Sequence, residues 1–169
     1  MHIFTYSTMI KVVLIIALVF LAYIDFRSFK LPNAITIPMI TIGLIINAIG
    51  TVPYSGFTSP LYSLLGAIAG YLLLWSLDQA YYRIKKQHGI GLGDAKLLSA
   101  LGAWLGIEAL PGILLIASIS GALGGVLWLR YQKQTIQSAF PFGPFLVFAG
   151  IIELLWPLHL QAFILNSPT

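Results

Sequence analysis

The chain has 169 residues, of which 59% are hydrophobic and only 14 (9 Lys+Arg plus 5 Asp+Glu) are formally charged. An ordinary soluble domain carries roughly 25% charged residues. So few charges cannot cover a compact fold in water, which excludes soluble globular, disordered and nucleic-acid-binding classes. The chain has no cysteine, so a disulfide framework and a thiolate site are excluded too.

A spanning helix needs about 20 mostly apolar residues. Six segments qualify as candidates: Thr8 to Phe26, Ala34 to Gly50, Pro60 to Tyr81, Asp94 to Gly106, Ala109 to Leu129, and Gly143 to Ile164. The expected fold is all-α, a polytopic membrane protein with six transmembrane helices in a single domain over 1–169. The fourth segment is short for a span, so it is expected to tilt or to start below the membrane surface. Residues 1–25 resemble a signal peptide in part, but no small-x-small cleavage site follows and five more apolar segments do. Small residues recur at Gly66 and Gly70, at Gly102 and Gly106, and at Ala117, Gly121 and Gly125. In lipid, such positions let helix backbones approach closely.

Basic residues set the orientation. Arg27 and Lys30 follow the first segment, Arg83, Lys85, Lys86 and Lys96 flank the connection after the third, and Arg130 and Lys133 follow the fifth. Only Lys11 falls on the other face. The positive-inside rule makes the rich face cytoplasmic and puts both termini outside. The expected location is the cytoplasmic (inner) membrane.

In so apolar a chain each carboxylate calls for a reason. There are five: Asp25, Asp78, Asp94, Glu108 and Glu153. Asp25 ends the first helix and Asp94 starts the fourth, so topology brings both to the cytoplasmic face. If those two helices are neighbours, the carboxyls form a pair. Two carboxyls sharing a site do not both ionise cheaply, which suits an aspartic protease. One takes a proton from water and the other donates to the peptide carbonyl, with no metal. Each also has a plain structural reading. Asp94 can cap the fourth helix, and Asp25 can pair with Arg27 or Lys30.

Neighbouring residues favour the catalytic reading. Gly89-Ile90-Gly91-Leu92-Gly93 precedes Asp94, a loop open to positive φ and to close backbone approach. Leu31-Pro32-Asn33 is a turn, with Asn33 available to cap the second helix. Phe140-Pro141-Phe142-Gly143-Pro144 is a rigid turn before the sixth helix. Lys96 reads as a membrane-surface anchor, or as a group that positions substrate or tunes the pair. Asp78 reads as an interfacial or hydrogen-bonded group near Arg83. Glu153 lies about midway along the sixth helix and should face the bundle interior. Glu108 falls in an outside turn. His2, His88 and His159 show no metal-ligand spacing.

These motifs resemble those of the type IV prepilin peptidases, membrane aspartic proteases of the Gly-x-Gly-Asp class. Asp25 with Leu31-Pro32-Asn33 is similar to the first family motif. Gly91-Leu92-Gly93-Asp94-Ala95-Lys96-Leu97 is similar to the second, running on through Leu101-Gly102-Ala103-Trp104-Leu105-Gly106. Pro141-Phe142-Gly143-Pro144 resembles the third. The resemblance implies that Asp25 and Asp94 are the catalytic pair, with Gly91, Gly93, Lys96, Pro32 and Asn33 in the supporting loops. It implies a type IV prepilin or type II secretion pseudopilin as substrate, cut after its short basic leader at the cytoplasmic face. Neither cofactor nor metal is expected, and the partners are the substrate and the lipid bilayer. Longer members resembling this chain carry cytoplasmic cysteine pairs and also N-methylate the product. Without cysteines, this chain looks like the peptidase half alone. The rival reading is a small transporter or proton channel using the intramembrane acids. It suits the sequence less well, since no duplicated halves appear and the two key acids share one surface.

Overall fold

In a computed structural model the described residues are 2–28, 31–49, 57–87, 89, 91–132 and 141–156, with backbone only over 2–7 and 127–132. They form six α-helices and no strand. These are α1 (His2–Ser28), α2 (Asn33–Ile49), α3 (Pro60–Lys85), α4 (Leu92–Leu105), α5 (Leu110–Gln132) and α6 (Gly143–Leu155), with a 3-10 turn at Ile107–Ala109 before α5. The all-α expectation and the count of six agree with this. Three stretches, Thr8–Ser28, Pro60–Lys85 and Ile107–Val126, are long and apolar enough to cross a membrane. The helices α2, α4 and α6 are shorter, at 17, 14 and 13 residues. The expected continuation of the sixth segment to Ile164 lies outside the described residues, as do Lys30, His88, Lys133, Phe140, His159 and the side chains of His2 and Arg130.

Large apolar side chains cover the outside of the bundle. Val13, Ile16, Val19 and Phe20 on α1, Leu61 and Leu72 on α3, and Ile119 and Leu123 on α5 are all exposed. Water would penalise that surface heavily and lipid does not, so these helices face acyl chains.

The core is built around α4, which packs on α3, α2 and α6, while α1 packs chiefly on α6. Glycines make the tightest contact possible. Gly66 on α3 and Gly102 on α4 meet backbone to backbone, each blocking the other from carrying a Cβ. One turn further along, a Cβ on Gly70 would stand 2.7 Å from the Leu98 carbonyl oxygen. Gly43 on α2 takes the Trp104 ring, whose Nε1 donates to the Met39 carbonyl at 2.8 Å. On α5 the small residues receive aromatic rings instead of backbone. Gly121 faces Phe142, and Gly124, not the expected Gly125, faces Phe145.

The short fourth helix ends inside the protein. The last carbonyls of a helix lack intrahelical donors, and in an apolar medium each must be satisfied. Asn47 meets that need from α2. Its Nδ2 donates to the Ala103 and Trp104 carbonyls at 2.9 and 3.2 Å, while Ser63 Oγ also donates to Ala103. The Asn47 Oδ1 accepts from the Phe57 and Thr58 amides at 2.9 and 3.2 Å. Gly106 closes the helix at φ 88°, a backbone state that glycine adopts without cost. One buried amide thus ties α2, α3, α4 and the start of the α3 segment, and lets α4 stop short.

Candidate active site

Asp25 lies one turn before the end of α1 and is 5% exposed. Its neighbour Arg27 is exposed and lies over the Tyr23 ring, 5.3 Å from the centroid. The expected partnership of Asp25 with Arg27 is therefore not the one seen here, and Lys30 is outside the described residues. The group beside Asp25 is instead the start of α6. The Gly143 N–H reaches the carboxyl, and it is one of the amides that a helix N-terminus leaves without an internal acceptor. A Cβ on Gly143 would stand 2.5 Å from Asp25 Oδ2. That oxygen is buried and has no hydrogen-bond partner among the described residues.

Asp94 is 8% exposed, in the first turn of α4. It does not cap the helix. Gly91 holds the N-cap position, and the helix begins at Leu92, two residues before the sequence boundary. Asp94 is the third helical residue, its amide bonded to the Gly91 carbonyl at 3.0 Å. Its carboxyl is thereby released from a capping duty. The Asp25 and Asp94 carboxyls lie within electrostatic reach of one another. The helices carrying them are not packed along their lengths, since α1 leans on α6 and α6 on α4. The helix α6 packs on both α1 and α4 and so links the two helices that carry the acids.

The supporting residues converge on the same end. Gly93 packs against Leu31, where a Cβ would stand 3.0 Å from the Leu31 Cβ. Lys96 Nζ donates to Asn33 Oδ1 at 2.7 Å, joining residues 63 apart in sequence. The expectation that Asn33 caps α2 is corrected. Asn33 is the first helical residue, and the Pro32 carbonyl accepts from the Ile35 and Thr36 amides at 3.1 and 3.2 Å. The glycine run also works differently from the expectation. Gly91 has φ −68°, and among the described residues only Gly106 is a glycine at positive φ. Gly89 and Gly93 serve close approach, to Tyr81 and to Leu31.

Residues 12–126 match the sequence profile of the Type IV leader peptidase family. The chain belongs to that family. Among curated relatives, it is similar to the Prepilin leader peptidase/N-methyltransferase of Aeromonas hydrophila, at 42% identity over 151 residues (89% of this chain, 50% of the relative). Similar matches come from the proteins of the same name in Pseudomonas putida, at 42% over 141 residues (83% and 47%), and Burkholderia pseudomallei strain K96243, at 41% over 138 residues (82% and 43%). The chain spans about half the length of these relatives. No solved structure matches it significantly.

In this leader peptidase family member the three motif segments lie together. Leu31 meets Gly93, Asn33 meets Lys96, and Gly143 meets Asp25. Sequence reasoning did not give Gly143 a role at the acids. The available signal was the third motif itself, but a glycine carries no side-chain chemistry to flag. The remaining acids separate cleanly. Glu108 is exposed in the 3-10 turn, whereas Glu153 is buried on α6 and faces the interior as expected. Asp78 is buried and its Oδ1 accepts from the Gly89 amide at 2.9 Å.

Proposed function

We propose that the chain is an intramembrane aspartic endopeptidase that removes the short basic leader of type IV prepilins or type II secretion pseudopilins. The observation that carries this is the convergence of the three motif segments around Asp25 and Asp94, whose carboxyls lie within electrostatic reach of one another. Relatives named as prepilin leader peptidases support the substrate class. The basic residues beside both acids support a site at the cytoplasmic face, with both termini outside.

The chemistry needs one ionised and one protonated carboxyl. The ionised member takes a proton from water as its oxygen attacks the peptide carbonyl carbon. The protonated member donates to the carbonyl oxygen, giving a tetrahedral diol. Return of a proton to the amide nitrogen lets the C–N bond break.

Purified protein in detergent should shorten a prepilin by its leader. Asp25→Ala and Asp94→Ala should each abolish cleavage while the protein stays folded, and a chelator should leave turnover unchanged. Full cleavage by either variant sinks the pair, and turnover lost to a chelator points to a different chemistry.

A further inference from the structure

Two buried carboxyls, Asp78 and Glu153, have no part in the reaction above. Asp78 on α3 is 1% exposed, and burying a carboxyl is costly unless hydrogen bonds or a partner compensate it. Its Oδ1 accepts from the Gly89 amide at 2.9 Å. One turn along the same helix face, Tyr81 closes on the same glycine. A Cβ on Gly89 would stand 2.8 Å from the Tyr81 Cδ1. Asp78 and Tyr81 therefore make a seat that a glycine fills. Gly89 opens the run that leads into Asp94. The other end of the run is held by α4 itself, where the Asp94 and Ala95 amides bond the Gly91 carbonyl at 3.0 and 3.5 Å. The connection is thus anchored at both ends, once by the helix it starts and once by Asp78.

We propose that Asp78 is a positioning residue for leader cleavage: by holding Gly89 against α3 it sets where Asp94 stands relative to Asp25. This rests on the reading of Asp94 as catalytic. Asp78 itself touches no substrate. Its effect falls on the chemical step, because a misplacement of about 1 Å at a reacting group can cost about 100-fold in rate.

The test compares two replacements in full-length protein in detergent, on a prepilin substrate. Asp78→Asn keeps an oxygen that accepts from Gly89, whereas Asp78→Leu has similar bulk and no acceptor. The Leu variant should lose about 10- to 100-fold in kcat with KM within about twofold of the parent, and the Asn variant should stay within about threefold. A second route leaves Asp78 untouched and serves if the Leu variant does not fold. Gly89→Ala should lower kcat by pressing on the ring, and adding Tyr81→Ala should restore it. A folded Leu variant with parental kcat, equal losses in the Asn and Leu variants, or no rescue by Tyr81→Ala each overturn the proposal. Asp94→Ala runs alongside. If it cleaves like the parent, the catalytic reading fails; if it is dead while Asp78→Leu is fully active, only the positioning role fails.

Discussion

The Gly143 backbone sits directly on the Asp25 carboxyl, with room for a hydrogen and none for a methyl group. Gly143→Ala should push Asp25 away from its place and reduce cleavage by about 100-fold. Gly150→Ala is the matched control. It lies on the same helix, and its Cβ would stand 2.5 Å from Leu101 Cδ2, away from the acids. Both variants should lose about 1–3 kcal/mol of stability from overpacking, yet only Gly143→Ala should lose most of its turnover. Equal turnover in the two, measured on folded protein, would show that contact with Asp25 is not what matters.

The α3–α4 seam should be the most sensitive to small additions. Gly66→Ala or Gly102→Ala places a methyl group onto a facing backbone, which cannot rotate aside as a side chain can. Each should destabilise the bundle by about 1–3 kcal/mol, read as a lower midpoint in thermal or detergent denaturation. Because the contact is reciprocal, the double variant should fall short of the sum of the singles.

Asn47 should matter for stability more than for chemistry. Interhelical hydrogen bonds in membranes are worth about 0.6 kcal/mol each on average, and Asn47 makes several. Asn47→Leu removes them together and takes their side-chain partner from the Trp104 carbonyl and the Phe57 and Thr58 amides, for a loss of about 2 kcal/mol. The melting temperature should drop while folded protein keeps its KM. Unchanged melting would mean that other groups satisfy those carbonyls.

The Lys96–Asn33 contact is exposed, and exposed charged contacts contribute little. A double-mutant cycle with Lys96→Met and Asn33→Ala should give a coupling of about 0.2–1 kcal/mol in stability. A much larger coupling would indicate that the pair holds this end of the bundle together.

Much of this was legible in the residues. Scarcity of charge exposed the membrane class, because lipid leaves apolar surface without penalty. The long runs on α1, α3 and α5 read directly as helices for the same reason. Asp25 and Asp94 stand out as acids at the ends of apolar segments, near basic residues. Other features had no local signal. The carbonyls that end α4 are answered by Asn47, 56 and 57 residues away, and a lone Asn in an apolar run does not announce its acceptors. Asp94 looked like a helix cap, and only the helix starting at Leu92 moved it to the third position.

The sequence alone determined the class and the number of helices and singled out two acids as candidates, since these follow from composition and from local patterns of charge. The tertiary structure decided what surrounds each of them. The helix α1 packs chiefly on α6, so Asp25 sits against a glycine at the start of α6, which contributes a backbone amide and the absence of a side chain. Contacts made by missing atoms leave no trace in composition, and become visible only when the neighbouring backbone is in place.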